Sequence, residues 1–444
     1  MYEVIEKLLA ISFSCLILSN CLLLRWLVRA PMLFPANIMS IFWFFMTFLP
    51  LTLLFSVPIE PLSILFIYGC TLAFSLSALC FKWKSSFARN RSKNPVYFEA
   101  PFLWKCFWFS QVISVFLVCY TLLQQSLDLD QFVEDFYSAA GAYTELRYAE
   151  ELNQDLGTRL ALPLTYAGAA IGGLIIAAQR TKFRQRMLLI GVFLPSLLVM
   201  LTQSSKGAFF LCGALFFGGV MINRLYQQKS DLIDSGVVKG ALVAGTVALP
   251  LVLISFVSRG MSDSGIDYIT WKLQSYLLSY AFAHIYAFSD WFNWYLDKGI
   301  TGISFQKIDM SFGYFSFMAV FELFGAERVV EKGIFTEYFR YGEYLKTNIF
   351  TSFRGLTIDF GVPGALIFFF FFGLLIHFCF MLLLRQRFSP LMIVIFIGFI
   401  GYVYQSYIIS FLNYRSTYLS MFILWFCLWF SSKRLVVKWS GTNS

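Results

Sequence analysis

The chain contains one apolar run that limits its fold more than any other stretch, the segment from Val362 to Leu384. As a helix this run is long enough to cross a lipid bilayer, and Pro363 stands in its first turn, where a helix tolerates proline. The stretch just before Gly361 is polar and includes Arg354 and Asp359. A charge at the edge of a membrane span is costly unless it has a partner or a function, so this boundary is a candidate for a functional site.

Further apolar segments of about spanning length recur along the chain, and together they predict an all-α polytopic membrane protein with about 11 transmembrane helices. The composition agrees, because the chain is 59% hydrophobic and 13% charged, whereas soluble proteins carry about 25% charged residues. The N-terminal run lacks a small-residue cleavage site, which favours a retained span over a signal peptide. The predicted spans are about 4–24, 33–56, 61–81, 103–123, 160–179, 187–203, 207–222, 237–257, 362–384, 391–412 and 416–431.

Lysine and arginine residues cluster in alternate connections between the predicted spans, and the positive-inside rule assigns those connections to the cytoplasm. The two longer connections, 125–158 and 258–360, then lie on the outer face. The predicted organisation is 1–257 with eight spans and a short acidic outer loop, 258–360 as a large outer loop, and 361–444 with three spans and a basic cytoplasmic tail. The basic residues are Arg25, Arg29, Lys82, Lys84, Arg89, Arg91, Lys93, Arg180, Lys182, Arg184, Arg186, Arg224, Lys229, Arg385, Arg387, Lys433, Arg434 and Lys438.

Two segments of the large outer loop are apolar enough to meet the membrane. From Trp271 to Tyr295, apolar residues recur at helical spacing with tyrosine and tryptophan among them, which predicts an interfacial helix. Met310 to Phe324 is apolar enough to dip into the bilayer. A full crossing there would reverse the topology on one side of the segment, and the charge pattern on both flanks opposes that.

Several functional classes are excluded by the predicted cytoplasmic connections. These connections are short and contain neither GxxxxGK[ST] nor GxGxxG, so the chain has no room for a nucleotide-binding domain. The net charge of +9 is largely explained by topology, and no nucleic-acid partner is expected. The nine cysteines all lie in apolar segments without a CxxC pair, which argues against disulfides and cysteine metal sites.

Five cations are predicted on the outer face, which the positive-inside rule leaves poor in them. Four stand close to predicted helix N-termini with hydroxyl neighbours, and a helix N-terminus presents free N–H groups and a positive dipole end. Together they predict an anion-binding site. The alternative for each residue is contact with lipid headgroups or with a loop carboxylate. The five residues are Arg159, Lys206, Arg259, Arg354 and Arg415.

Three residues are candidates for general acid or base catalysis. His284 lies in the predicted interfacial helix and could accept a proton near neutral pH, and Asp290 and Asp359 are similar candidates. Each could equally be a structural residue. The acidic loop contains one metal-binding pattern, Asp128-Leu-Asp130, but so short a pattern in an acidic loop is weak evidence. We therefore predict a site without metal or other cofactor.

The segment from Asn348 to Arg354 (Asn-Ile-Phe-Thr-Ser-Phe-Arg), followed by Asp359 to Gly364 (Asp-Phe-Gly-Val-Pro-Gly), resembles the signature of the bacterial oligosaccharide repeat unit polymerases, the O-antigen or Wzy polymerases. The segments 202–208 and 279–290 are similar in kind, and the resemblance covers about residues 160–431. One departure is Lys206, where the family often has arginine. Lysine keeps the charge but loses the two-pronged geometry with which arginine binds phosphate.

The resemblance implies an inner-membrane glycosyltransferase whose active site faces the periplasm. It would move a growing chain from undecaprenyl pyrophosphate to a sugar hydroxyl of a new lipid-linked repeat, with membrane lipid and a chain-length regulator protein as partners. Arg354, Arg259, Arg415, Lys206 and Arg159 would bind the pyrophosphate. Asp290, His284 or Asp359 would accept the proton of the acceptor. Asn348, Thr351 and Tyr414 are assigned to substrate binding.

Two other functions fit the same sequence. An O-antigen ligase would share the outward anion site and differ in its acceptor. A lipid-linked oligosaccharide flippase or transporter would also be polytopic, but such proteins usually have shorter outer loops. The segment from Arg354 to Gly364 favours the polymerase.

Overall fold

The computed structural model describes residues 2–83, 101–125, 139–143, 146, 156–179, 181–227, 229, 235–257, 265–298, 310–326, 335–385 and 387–441. Most of these residues are helical, and one two-stranded antiparallel hairpin accompanies the helices. In chain order the main elements are α1 (Tyr2–Val28), α2 (Pro35–Leu53), α3 (Pro61–Leu76), α4 (Pro101–Gln124), α5 (Leu156–Ile175), α6 (Lys182–Thr202), α7 (Lys206–Tyr226), α8 (Ser235–Val257), α9 (Ile266–Phe282), α10 (His284–Lys298), α11 (Met318–Leu323), β1 (Phe339–Tyr341), β2 (Leu345–Thr347), α12 (Thr351–Leu384), α13 (Pro390–Gln405) and α14 (Arg415–Gly441).

Eight of the described helices are long and apolar enough to cross a membrane, namely α1 to α7 and α12. Two further described helices contain shorter apolar stretches, Ala248–Val257 in α8 and Pro390–Gln405, which is α13. The predicted class of helical membrane protein is therefore confirmed. The count of about 11 spans and the side of the membrane on which each connection lies stay predictions.

Local sequence explains where several of these helices begin. Proline opens α2, α3, α4 and α13, at a position where its missing N–H and fixed φ suit a helix start. Glu60 caps α3, since its Oε1 accepts a hydrogen bond from the Leu62 amide at 3.1 Å. The hydroxyl of Thr181 caps α6 in the same way, with the Arg184 amide at 3.3 Å. Such caps satisfy amides that the helix itself leaves without partners.

The chain divides into two compact units. The first comprises Met1–Asn90, Gln274–Arg387 and Tyr402–Arg415, and in it α3 packs against α1 and α12. The second comprises Arg91–Leu273, Phe388–Gly401 and Ser416–Ser444, and in it α5 packs against α4 and α7. A methyl group at Gly173 of α5 would lie 2.0 Å from the Phe216 carbonyl oxygen of α7. This contact between backbones at small residues is typical of helix packing in membranes.

Helix α12 consists of a polar part and an apolar part that meet at Gly361. There φ is 66° and ψ is 177°, a combination that is essentially restricted to glycine. The sequence prediction placed the start of this helix at residue 362. In the structure the polar residues from Thr351 onward are already helical, and Gly361 breaks the helix between them and the apolar run.

The segment Trp271 to Tyr295 forms two helices instead of the one that was predicted. α9 and α10 are separated at Ala283. Residues 311–316 form turns with positive φ at Phe312 (49°) and Gly313 (104°), and the six-residue α11 follows them. The segment 310–324 therefore does not form a single membrane-crossing helix.

One lysine is buried in α1 and links three helices. The Nζ of Lys7, whose residue is 2% exposed, donates to the carbonyl oxygens of Leu54 (3.2 Å) and Val57 (2.6 Å) and to the Tyr286 hydroxyl (3.0 Å). The Tyr286 hydroxyl also lies 2.9 Å from the carbonyl oxygens of Pro50 and Leu54. Pro50 lies in the last turn of α2, and Leu54 and Val57 follow it, so these carbonyls are at the end of the helix where its dipole favours a cation.

Candidate functional site

Arg354 lies in the first turn of α12 and is fully buried in the first unit. Its guanidinium carbon is 3.9 Å from the ring centre of Phe335, 4.3 Å from that of Phe350 and 5.3 Å from that of Trp291. Arginine above an aromatic face is attracted by the ring quadrupole, and the attraction grows when water is excluded. Aromatic rings therefore surround the guanidinium.

Glu337 supplies the negative charge that this buried arginine needs. Nη2 of Arg354 donates to Oε1 of Glu337 at 2.7 Å, and the two side chains are 0% and 9% exposed. A buried ion pair is tolerated only with good geometry, and removing one partner typically costs about 3 to 5 kcal/mol. Arg354 and Glu337 therefore act as one energetic unit.

Thr351 opens α12 in a backbone conformation that is unusual for its residue type. Its φ is 65°, and a β-branched residue in the left-handed region is strained. Its Oγ1 is buried and has no hydrogen-bond partner among the described residues, and the same holds for Nε1 of Trp291, whose ring faces Arg354. Buried polar atoms are nearly always hydrogen-bonded. Strain and unsatisfied hydrogen-bonding atoms thus occur together around the first turn of α12.

Asp359 lies five residues after Arg354 in α12 and accepts hydrogen bonds from the turns at 311–316. One carboxylate oxygen accepts hydrogen bonds from the Ser311 hydroxyl (2.5 Å) and the Phe315 amide (2.9 Å), and the other accepts from the Ser316 amide (2.7 Å). The residue is fully buried. This environment is that of a structural carboxylate, and a role as general base stays a prediction.

The same turns are held from the other side by the segment that leads into α14. Nδ2 of Asn413 donates to the Phe315 carbonyl at 2.8 Å, and the Ser410 hydroxyl donates to the Ser316 carbonyl at 2.8 Å. The Phe315 ring stacks on Phe335 with ring centres 6.5 Å apart and planes at 11°. Since Phe335 covers Arg354, these contacts extend from Asp359 and Asn413 to the buried guanidinium.

The other two predicted acid or base residues lie on α10. His284 is buried, and its Nε2 lies 3.0 Å from the Met46 carbonyl oxygen, so this nitrogen carries the proton. Burial lowers the pKa of His284 to about 4, which keeps the ring neutral near pH 7. Asp290 is exposed at the surface of a mostly buried helix. Loss of water on the protein side raises the pKa of its carboxyl group, which favours proton acceptance.

The described predicted cations are divided between the two units. In the first unit Arg415 pairs with Glu322 at 2.8 Å, and its side chain is 59% exposed. In the second unit the buried Lys206 donates to the Ser255 carbonyl at 3.0 Å and lies 3.9 Å from the Phe256 ring centre, and Arg159 is exposed at the start of α5. Arg259 lies outside the described residues, as do Asp128 and Asp130. A common anion for all five cations stays a prediction.

The residues assigned to substrate binding all lie in the first unit. Asn348 is half-buried, and its Nδ2 donates to the Phe335 carbonyl at 3.1 Å, so it ties together the two sides of the hairpin. Thr351 is the strained residue at the start of α12, and Tyr414 is half-buried just before α14. Asn348 and Thr351 therefore belong to the surroundings of Arg354.

Sequence reasoning missed Glu337, Phe335 and Trp291. A local signal for the hairpin was present, because Phe339 to Tyr341 and Leu345 to Thr347 flank a turn at Gly342, whose φ is 56°. A hairpin at that place brings the residues before β1 next to the residues after β2. The local sequence does not show which carboxylate pairs with Arg354, because the contact with Glu337 depends on tertiary packing.

Comparison of the chain with protein-family models, with curated proteins and with solved structures finds no match.

Proposed function

We propose that this chain is a surface polysaccharide polymerase of the O-antigen type, an inner-membrane glycosyltransferase with its active site on the periplasmic face. The observation that carries the proposal is the first turn of α12. It combines a buried arginine with a strained threonine at the N-terminus of a long helix, and the buried hydroxyl of that threonine has no hydrogen-bond partner among the described residues. These groups are hydrogen-bond donors, and a helix N-terminus favours an anion.

In this proposal the diphosphate of the lipid carrier binds to these donors. In chain transfer the bond between the anomeric carbon and the diphosphate oxygen breaks, and the acceptor hydroxyl oxygen bonds to that carbon. The leaving diphosphate gains negative charge, which Arg354 would stabilise through charge-assisted hydrogen bonds. The acceptor gives its proton to a base, and Asp290 suits this role best because its carboxylate is exposed and has a raised pKa.

The direct test is transfer by the purified protein in lipid nanodiscs. Lipid-linked repeat units extracted from a strain that lacks the protein serve as both donor and acceptor. Wild-type protein should form lipid-linked chains of several repeats. Arg354→Lys should keep only part of the activity, because an ammonium lacks the two-pronged geometry of guanidinium.

Arg354→Ala leaves Glu337 charged and buried, so loss of activity in that variant alone could reflect unfolding. The variant Arg354→Gln with Glu337→Gln removes both charges and separates the two causes. It should fold with little activity. Wild-type activity in this double variant would refute the role of Arg354.

The surface glycan of a strain that lacks the protein distinguishes a polymerase from a ligase and from a flippase. A deletion strain should still display single repeat units, because building, export and attachment of a unit require other proteins. Long chains on the lipid carrier in that strain would identify a ligase. Single repeats confined to the cytoplasmic face would identify a flippase.

A further inference from the structure

The hairpin that contains β1 and β2 forms a strap over Arg354, and this strap comprises residues 335–350. Phe335 at one end and Phe350 at the other lie on the guanidinium, and Glu337 pairs with it. Asn348 closes the strap by donating to the Phe335 carbonyl at 3.1 Å. Arg354 is 0% exposed in this arrangement. A ligand can reach the guanidinium only when groups that cover it move, and the strap supplies three of these groups, Phe335, Glu337 and Phe350.

We propose that Glu337 is an internal counter-ion that occupies the anion position of Arg354, and that a phosphate group of a lipid diphosphate displaces it and opens the strap. This inference rests on the proposed function and adds a competitor and a motion to it. A carboxylate and a phosphate are both anions that bind guanidinium N–H groups, and two anions in one water-excluded site repel each other strongly, so a phosphate that binds there displaces the carboxylate. The structure then represents the closed state of the site.

The strap is a short hairpin whose turn is exposed at Gly342 and Glu343, and these features allow it to move. Its two strands pair over three residues each, and an isolated two-stranded hairpin is marginally stable. Hydrogen bonds between described residues also join it to the rest of the first unit. They join the Ser275 hydroxyl to the Tyr344 carbonyl (2.8 Å), the Lys346 amide to the Ser279 hydroxyl (3.0 Å) and the Tyr341 hydroxyl to the Ser56 carbonyl (3.0 Å).

The competition between Glu337 and a ligand predicts the effect of removing the carboxylate charge. When a site is available only part of the time, the apparent affinity falls in proportion to the available fraction. Glu337→Gln should therefore bind farnesyl pyrophosphate about tenfold more tightly than the wild type, since a charged hydrogen bond is exchanged for a neutral one. Glu343 lies exposed in the turn of the same hairpin, and Glu343→Gln is the matched control with unchanged affinity.

Binding of farnesyl pyrophosphate to the purified full chain in detergent is measured by calorimetry, with inorganic pyrophosphate as the second probe. Binding of both probes with equal affinity would show that the phosphate alone is recognised, and preference for the prenyl compound would show that the lipid contributes. Amide exchange of residues 339–347 should rise when farnesyl pyrophosphate binds the wild type. In Glu337→Gln it should be high without ligand.

A second variant keeps the proposal testable if Glu337→Gln does not fold. Ser275→Ala with Ser279→Ala removes two bonds that hold the strap and leaves the ion pair in place, so it should also tighten binding. Equal affinity in the wild type and in the variants that fold, with Arg354→Lys weakened, would overturn the counter-ion role while leaving the proposed function intact. Unchanged binding in the double variant Arg354→Gln with Glu337→Gln would instead refute the anion site itself.

Discussion

Substitutions of Asp359 can show whether its carboxylate has a structural role or a catalytic one. Its two oxygens accept hydrogen bonds from two buried backbone amides and from the half-buried hydroxyl of Ser311. Asp359→Ala leaves both amides without an acceptor, and each unsatisfied buried donor costs about 1 to 3 kcal/mol. The expected loss is about 2 to 6 kcal/mol, while the hydroxyl of Ser311 can rotate to another partner. Total stabilities of about 5 to 15 kcal/mol are typical, so this variant should be close to unfolding.

Asp359→Asn keeps one oxygen acceptor and turns an NH₂ group toward one of the former donors. It should therefore lose about 1 to 3 kcal/mol, which is the cost of one unsatisfied donor. Thermal unfolding in detergent can be followed with a thiol-reactive dye, because Cys70, Cys212 and Cys379 are buried free thiols that become accessible on unfolding. Asp297→Asn, at an exposed position of α10, is the matched control and should unfold like the wild type.

A structural role for Asp359 predicts that stability and activity fall together in the order wild type, Asn, Ala. A catalytic base predicts a different result, in which Asp359→Asn unfolds at the wild-type temperature and has no activity. That second result would refute the structural role of this carboxylate. It would also show that the turns at 311–316 do not depend on the carboxylate charge.

Three further predictions follow from other parts of the first unit. Gly361→Ala should destabilise the protein by about 1 to 3 kcal/mol, because its backbone conformation is strained for any residue with a side chain; an unchanged unfolding temperature would contradict the break in α12. Burial lowers the pKa of His284 from 6.5 to about 4, so the unfolded chain binds the proton first and stability should fall as the pH drops from 6.5 to 4; circular dichroism melts should show a smaller fall in His284→Asn. Arg415→Gln should destabilise the protein less than Arg354→Gln, because the Arg415 side chain is 59% exposed although its partner Glu322 is only 8% exposed; an equal loss of stability in the two variants would show that the exposure of the arginine does not set the cost.

The apolar segments could be predicted from the sequence because a membrane admits few solutions for the backbone. Amides without partners are too costly in lipid, so a long apolar run must be helical. The predicted segments overlap helices α1 to α8 and α12 to α14, although the segment 391–412 extends beyond the end of α13 at Gln405. The polar part of α12 was not predicted because the apolar run begins only after Gly361. The residues before that glycine are polar, yet they are helical as well.

The surroundings of Arg354 were predicted only in part. Arg354, Thr351 and Asn348 stand together in one motif, so sequence spacing alone brings them close. Glu337 precedes a hairpin, and Trp291 lies on α10, far away in the chain. Their contacts with Arg354 depend on how α10 and the strap pack on the first turn of α12. No periodicity or charge count could show that packing.

The buried amine of Lys7 has a consequence for the order in which the chain assembles. Two of its partners, Leu54 and Val57, lie 47 and 50 residues away, while Tyr286 lies 279 residues away. At a synthesis rate of about 5 to 20 residues per second, the tyrosine emerges roughly 15 to 55 seconds after the lysine. During that interval α1 and the end of α2 can already hold the ammonium group between them. The arrival of α10 then completes its hydrogen bonds, so the first two helices provide the polar platform on which a late segment of the chain docks.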